Sequence, residues 1–256
     1  MNSAATGAAR WTRFEDEDGF VGYRSPALAA LGVPHVFTTR HGGTGEDFDL
    51  GDLGERHLAR LRRAAGAEGA RVSSLKQVHG DGVVEAGAAL SPELPCADAL
   101  VSDRPDRLLL VRTADCVPVL IARRDGRRVA AVHAGWRGLV AGVIPRALDA
   151  LGPGEFVAAL GPALSLERFE VGPEVARAFE ETGLSAAVSP RSGARPHVDL
   201  ARAAFLELAR GGVREIDSSD LCTWGDDAFF SYRRDVTHGG RKTTGRQGAA
   251  IAARPR

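Results

Sequence analysis

The 256-residue sequence predicts an α/β fold, a single domain with a mixed β-sheet packed against helices on both sides. Three observations predict it. Short apolar runs of strand length alternate with segments whose apolar residues recur at helical spacing. Two of those runs, "RLLLVRTADC" and "VPVLIARRDG", are apolar enough to be buried strands. The Asp125-Gly126 pair then reads as a tight hairpin turn into "RRVAAVHAG", which breaks a purely parallel βαβ order.

In chain order, residues 1–20 read as a flexible N-terminal segment and 21–256 as the domain, with no boundary signal dividing it. "PHVFTTR" is a strand running into the glycine turn of "RHGGTG". "GERHLARLRRAAGAEG" is a helix, with Leu58, Leu61 and Ala65 on one face and a glycine stop. "RVSSLKQVHG" is a strand with His79 at its exit, followed by the two buried strands and the hairpin. "GLVAGVIPRALDALG" has helical spacing at Leu139, Val143, Ala147 and Leu151, and Pro145 inside it implies a kink or a break. "VDLARAAFLELARGG" is a cleaner helix, N-capped by Asp199 and stopped by Gly211-Gly212.

Composition excludes some functions. Thirty-three basic residues balance thirty-three acidic ones, which argues against a general nucleic-acid or anionic-membrane surface. Lys76 and Lys242 are the only lysines, so arginine is the default cation here and an isolated arginine carries little functional weight. Three widely spaced cysteines, Cys96, Cys116 and Cys222, make no disulfide framework and point to a reducing compartment. The N-terminus has no apolar core of a signal peptide and no segment has membrane-spanning length, so the expectation is a cytoplasmic protein, monomeric or a small homo-oligomer.

His79, Cys116 and His133 each sit at the end of an expected buried strand, where α/β folds expose functional side chains. Two imidazoles and a thiolate suit zinc with a fourth position open. The plainer reading is a small buried thiol and two satisfied polar groups, and spacing alone does not displace it, because no compact CxxC or HExxH signature occurs.

The blocks "VFTTRHGG", "SLKQVHG", "ADALVSD", "RTADCVPVLIA", "AAVHAGWRGLVAGV", "LCTWGDDAFFSYRRD" and "TTGRQGAAI" resemble, in order, those of the YfiH-type laccase-domain family, described both as polyphenol oxidases and as purine nucleoside phosphorylases. The resemblance runs from about Val36 to Ile251. It implies that His79, Cys116 and His133 are metal ligands, ordinarily for zinc, and a fold similar to that of a group of cysteine hydrolases. Departures are "DFDLGDLG" after the glycine turn, "SLERFEVG" without its cysteine, and extra residues in "YRRDVTHGGRKTTGR". They spare the three ligands and leave substrate identity open.

The implied activity is phosphorolysis of purine nucleosides (adenosine, inosine or methylthioadenosine) with accompanying adenosine deamination. Deamination needs an activated water and a carboxylate to move a proton, for which Asp115 is the candidate; its plainer role is a turn residue capping backbone. Phosphorolysis needs donors for phosphate, for which Arg40 at the glycine turn is the first candidate. Gln77 and Arg137 are further candidates for substrate or phosphate, with Arg137 also readable as a fold brace or a solvated charge. Copper can enter the same site. The only methionine is Met1 and the seven histidines form no His-x-His pair, so the sequence argues against an efficient multicopper oxidase and leaves weak phenol oxidation to a copper form. Two other classes stand beside this one: a Cys-His hydrolase or peptidoglycan-precursor editing enzyme with Cys116 as nucleophile, and a non-catalytic metal-binding protein.

Overall fold

A computed structural model describes residues 11–43, 45–87 and 94–255. The strands are β1 (Thr12–Glu15), β2 (Phe20–Arg24), β3 (His35–Gly42), β4 (Arg71–Ser73), β5 (Val83–Glu85), β6 (Ala99–Ser102), β7 (Arg107–Thr113), β8 (Val117–Arg123), β9 (Val129–Ala134), β10 (Phe156–Leu160), β11 (Val188–Ser189), β12 (His197–Val198), β13 (Glu215–Ser218) and β14 (Gln247–Ile251). The helices are α1 (Pro26–Ala30), α2 (Glu55–Ala65), α3 (Trp136–Ala141), α4 (Val143–Leu151), α5 (Pro173–Glu181) and α6 (Leu200–Arg210).

The α/β class and the mixed strand directions hold, but twelve of the strands divide between two six-stranded sheets, with β11 and β12 paired apart from them. One has the order β1-β2-β3-β14-β7-β4 and the other β13-β10-β8-β9-β6-β5, and each combines antiparallel pairs with parallel ones at an edge. The two sheets share a core of Phe37, Leu109, Val111, Leu120, Ala131, Ala159 and Ile251. Period-2 alternation then sends Leu108 and Leu110 to the other side, against Leu61 of α2. Likewise Val119 and Ile121 of β8 and Val132 of β9 face away from the shared core, toward Ile144 of α4 and Ala204 of α6. Helices thus cover the outer face of each sheet. A strand buried on both faces has the same apolar sequence in either arrangement, so the strand sequences alone do not count the sheets.

The hairpin forms as expected: β8 and β9 pair antiparallel, Gly126 takes φ +69°, and the Asp125 side chain accepts from the Arg127 N–H at 3.0 Å. In contrast β7 and β8, joined only by Ala114-Asp115-Cys116, lie in different sheets. The segment bearing Cys116 is therefore the crossover between sheets.

Three local expectations are corrected. Residues 1–10 lie outside the described residues, but the flexible segment expected over 1–20 does not extend through β1, which pairs with β2. The chain after Arg71 is a strand for three residues only, because Gln77 replaces backbone pairing: its side-chain Nε2 donates to the Arg112 carbonyl (2.7 Å) and its Oε1 accepts the Arg112 N–H (2.9 Å). His79 is thus in a loop, not at a strand exit. The helix over 138–152 breaks at Gly142 (φ +84°) rather than at Pro145, which falls in the first turn of α4, where an N–H has no intrahelical partner to lose. Asp199 caps α6 as expected, accepting from the Arg202 N–H.

A buried imidazole locks the entry to β3. His35 Nδ1–H donates to the Val33 carbonyl at 2.8 Å and Nε2 accepts from the Ser25 N–H at 3.0 Å. Ser25 caps α1 and donates its hydroxyl to Asp217 on β13, tying the two sheets together. Burial pushes His35 down from 6.5 to about 4. The unfolded chain therefore takes up a proton between pH 6.5 and about 4 that the folded chain refuses, and stability present above pH 6.5 is lost across that window. In urea titrations, His35→Asn should weaken the protein near neutral pH and remove on the order of 3 kcal/mol of this acid dependence. Parallel pH profiles for the two proteins would refute the assignment.

Candidate metal centre

His79, Cys116 and His133 come together at one end of the two sheets. Their ligand atoms all lie within 4.8 Å of one another, and the two imidazole rings meet edge to face at 4.8 Å between centroids. Each arrives by a different device. His133 is the next-to-last residue of β9 and is 3% exposed. Cys116 ends the sheet crossover, behind Asp115 held at φ +98°. His79 takes φ +60° in its loop, a conformation uncommon for a non-glycine residue.

One carboxylate, fully buried, organises the set. Asp98 Oδ1 accepts from His133 Nδ1–H at 2.7 Å and from the His79 N–H at 3.0 Å. Its Oδ2 accepts from the Gly80 N–H at 2.7 Å and the Val78 N–H at 3.2 Å. Asp98 thus holds the His79 loop in its left-handed turn and fixes the His133 tautomer, leaving Nε2 for a ligand. Burial pushes the Asp98 carboxyl up, but the hydrogen bonds from His133 and from the loop outweigh it and hold the group below the usual carboxylate range. The sequence reading passed over Asp98. Its signal was an acidic residue at the entry of the apolar run "ALVS".

Burial likewise pushes the Cys116 thiol up, and the charge on His133 with hydrogen bonds from His133 and His79 more than reverses it. Burial pushes His133 down, and Cys116 and Asp98 more than reverse that. Without a metal the pair favours a thiolate beside an imidazolium, and the thiolate is the form in which cysteine binds metals.

The donor set fits a metal on two further observations. A histidine whose second nitrogen donates to a carboxylate is the usual outer arrangement of a zinc ligand. Gly135, at the end of β9, faces the trio: a Cβ there would lie 3.0 Å from His79 Cδ2 and 3.1 Å from Cys116 Sγ. The space those atoms share is kept free of side chain.

The trio opens into a cavity of about 1060 Å³. His79, Cys116, His133, Gln77, Asp115 and Arg137 all line it, as do Trp136, Tyr232, Arg112, Arg233 and Arg246. Gln77 spends its amide on Arg112, as described. Asp115 spends both carboxylate oxygens: Oδ1 accepts from Thr223 Oγ1 and Oδ2 from the Arg233 N–H, each at 2.6 Å. It holds the Arg233–His238 π-helical turn, which forms part of the wall, and itself lines the cavity beside Cys116. The Arg137 guanidinium lies over the Trp136 ring at 4.3 Å, and Trp136 packs partly against the core. Arg40 is not brought to the cavity. Its guanidinium forks onto Asp47 and covers the Phe230 ring at 5.0 Å, because the glycine turn curls that carboxylate back onto it. Among the described residues no other group of three metal-binding side chains occurs, and no helix is long and apolar enough to cross a membrane.

Asp98→Asn keeps the volume but places an amide N–H₂ against donors. Metal affinity in a chelator competition should fall about 10- to 100-fold, together with melting temperature. Gly135→Ala should displace His79 or Cys116 and lower metal content without emptying a core position. Wild-type affinity in both variants would remove Asp98 and Gly135 from the site.

Comparison with known proteins agrees over most of the chain. Residues 34–254 match the family described as multi-copper polyphenol oxidoreductase laccase. The chain is 41% identical over 217 residues to a Pseudomonas aeruginosa protein named purine nucleoside phosphorylase, covering 79% of this chain and 88% of that relative. It is 37% identical over 235 residues to Escherichia coli purine nucleoside phosphorylase YfiH, covering 86% and 93%. The crystal structure of a Neisseria meningitidis protein of the DUF152 family superposes with a TM-score of 0.75 at 32% identity, over 96% of this chain and 100% of that one. The protein therefore belongs to the YfiH-type family of multi-copper polyphenol oxidoreductase laccases.

Proposed function

We propose that this protein is a zinc-dependent purine nucleoside phosphorylase that also deaminates adenosine. The observation that carries the reading is the junction of two features in one cavity. The His79, Cys116 and His133 trio forms one part of its wall, while among the described residues Lys76, Arg112, Arg137, Arg195, Arg233 and Arg246 line it with two carboxylates, Asp115 and Glu170. A cationic cavity suits an anionic co-substrate. The names of the relatives supply the nucleoside.

In phosphorolysis an oxygen of hydrogen phosphate forms a bond to C1′ as the C1′–N9 bond breaks, the bonding pair leaves with the purine, and the phosphate's proton ends on the base. In deamination adenosine and water give inosine and ammonia. His79, Cys116 and His133 would hold zinc through three ligands with one position open. Zinc bound there supplies Lewis-acid activation of water, the chemistry of deamination. The protein's own residues do the rest: Asp98 fixes His133, Asp115 anchors the Arg233 turn, and Trp136 and Tyr232 offer ring faces at the cavity wall. Copper suits the same donors, and with no second cluster among the described residues a copper form would oxidise phenols slowly.

A second reading has its own observation. Cys116, His133 and Asp98 stand in series, as nucleophile, base and orienting carboxylate do in a cysteine hydrolase. Metal separates the readings, because a ligand thiolate is occupied and a nucleophile must be free.

Zinc-loaded protein given adenosine should release adenine and ribose 1-phosphate only when phosphate is added, and inosine without it. Activity that survives zinc removal would favour the hydrolase, and full zinc content with no turnover would leave a metal-binding protein. Arg40→Ala should lower the melting temperature through loss of the Asp47 and Phe230 contacts, while the ratio of phosphorolysis to deamination stays at the wild-type value. A selective loss of phosphorolysis in that variant would return Arg40 to the phosphate site.

A further inference from the structure

With Arg40 withdrawn, the reading above has no assigned phosphate site. We infer that Arg112 and Arg246 form it, a two-guanidinium clamp for inorganic phosphate beside the metal trio.

Both side chains line the cavity. Sequence and pairing place them together: Gly248 lies opposite Arg112 and Gln247 opposite Thr113 across β14 and β7, so Arg246 enters at the same end of that strand pair. Each is also fastened to the segment before Gly51. Arg112 Nη1 donates to the Leu50 carbonyl (3.3 Å), and the Leu50 N–H donates to the Arg246 carbonyl (2.9 Å). The guanidiniums are held by carbonyls rather than carboxylates. Arg112 Nη2 donates to the Leu75 carbonyl at 3.0 Å, and Arg246 Nη1 to the Thr244 and Gly245 carbonyls at 2.8 and 2.9 Å. Carbonyls orient the forks without forming an ion pair.

Arg60, Arg104, Arg124 and Arg128 each make an ion pair, whereas among the described residues no carboxylate makes one with Arg112 or Arg246, two arginines that share one cavity wall. Asp49, in the segment before Gly51, accepts at Oδ1 from the backbone N–H groups of Gly51 and Arg246, and its charge offsets part of the effect of Arg246 on Arg112. On Arg112 itself a further donor, Nε, has no hydrogen-bond partner. Like charges brought together in a partly buried wall are costly unless an anion joins them. Burial and the Arg246 charge hold Arg112 below the ordinary arginine value, consistent with that proximity. A tetrahedral oxyanion presenting two or three oxygens suits two forked donors. The Gln77 amide fixes the Arg112 backbone and lies two residues from His79, which sets the anion next to the metal trio.

As a co-substrate site the clamp rests on the phosphorolysis reading; as an anion site it does not, and two assays separate them. Calorimetry and thermal shift with zinc-loaded protein and inorganic phosphate test the anion site directly. The wild type should bind phosphate and be stabilised by it. Arg246→Gln and Arg112→Lys, checked for wild-type zinc content, should weaken phosphate binding about ten- to a hundredfold, the value of charge-assisted contacts. Steady-state kinetics should then show the same rise in the KM for phosphate. Arg112→Lys is included because an ammonium keeps the charge and loses the fork, and Arg246→Gln because its carbonyl contacts are local. Phosphate binding lost in the variants of a protein that performs no phosphorolysis would sustain the clamp and defeat the proposed function. Undiminished phosphate affinity in Arg246→Gln, no stabilisation of the wild type well above the ~1 mM upper end of ordinary KM values, or stabilisation by adenosine 5′-monophosphate but not by phosphate would each overturn the assignment.

Discussion

The site depends on four hydrogen bonds to one buried carboxylate. Asp98 receives three consecutive backbone N–H groups, those of Val78, His79 and Gly80, and the Nδ1–H of His133. The first three hold His79 in a conformation that a non-glycine residue rarely adopts without support. The fourth settles which imidazole nitrogen is free. One ionised group therefore aims two ligands, one from a loop and one from the end of β9, and it remains ionised because four donors outweigh its burial. An isolated buried charge would be expensive; here each oxygen has two partners.

The stacked sheets explain why Cys116 stands where it does. Leaving β7 for β8 moves the chain from one sheet to the other within three residues, and that turn exposes Cys116 at the sheet ends. Asp115 takes a left-handed conformation to make the turn and anchors it with both carboxylate oxygens. The same bonds fasten the π-helical turn after Tyr232, a type of helix that often marks functional sites. Residues beside the ligand thus shape the opposite wall of the cavity as well as supporting the ligand.

Charge is arranged by the same economy. Over much of the surface arginines sit in ion pairs of modest value. Around the cavity the guanidiniums of Arg112 and Arg246 are held by main-chain carbonyls, and Arg137 is spread over an indole. Cations held without an ion pair thus stand in the same cavity as a thiol and two imidazoles.

Much of this was legible in the sequence. Apolar runs with their turn residues marked the buried strands and the hairpin, and the spacing and cap of "VDLARAAFLELARGG" marked α6, because those features are local. The three ligand types stood at segment ends, and the resemblance of "KQVHG", "TADCVP" and "HAGWRG" to one family joined them. What the sequence could not decide is what depends on contacts between distant segments. Both faces of β7 and β8 are apolar whether helices or a second sheet cover them, so the sheet count waited for tertiary packing. Asp98 is one acidic residue among thirty-three, and only folding gives it four donors. Arg40 and Arg112 are chemically identical side chains; the first is paired with Asp47, whereas the second is held by carbonyls and makes no ion pair among the described residues, and that difference is a matter of which backbone folds beside each.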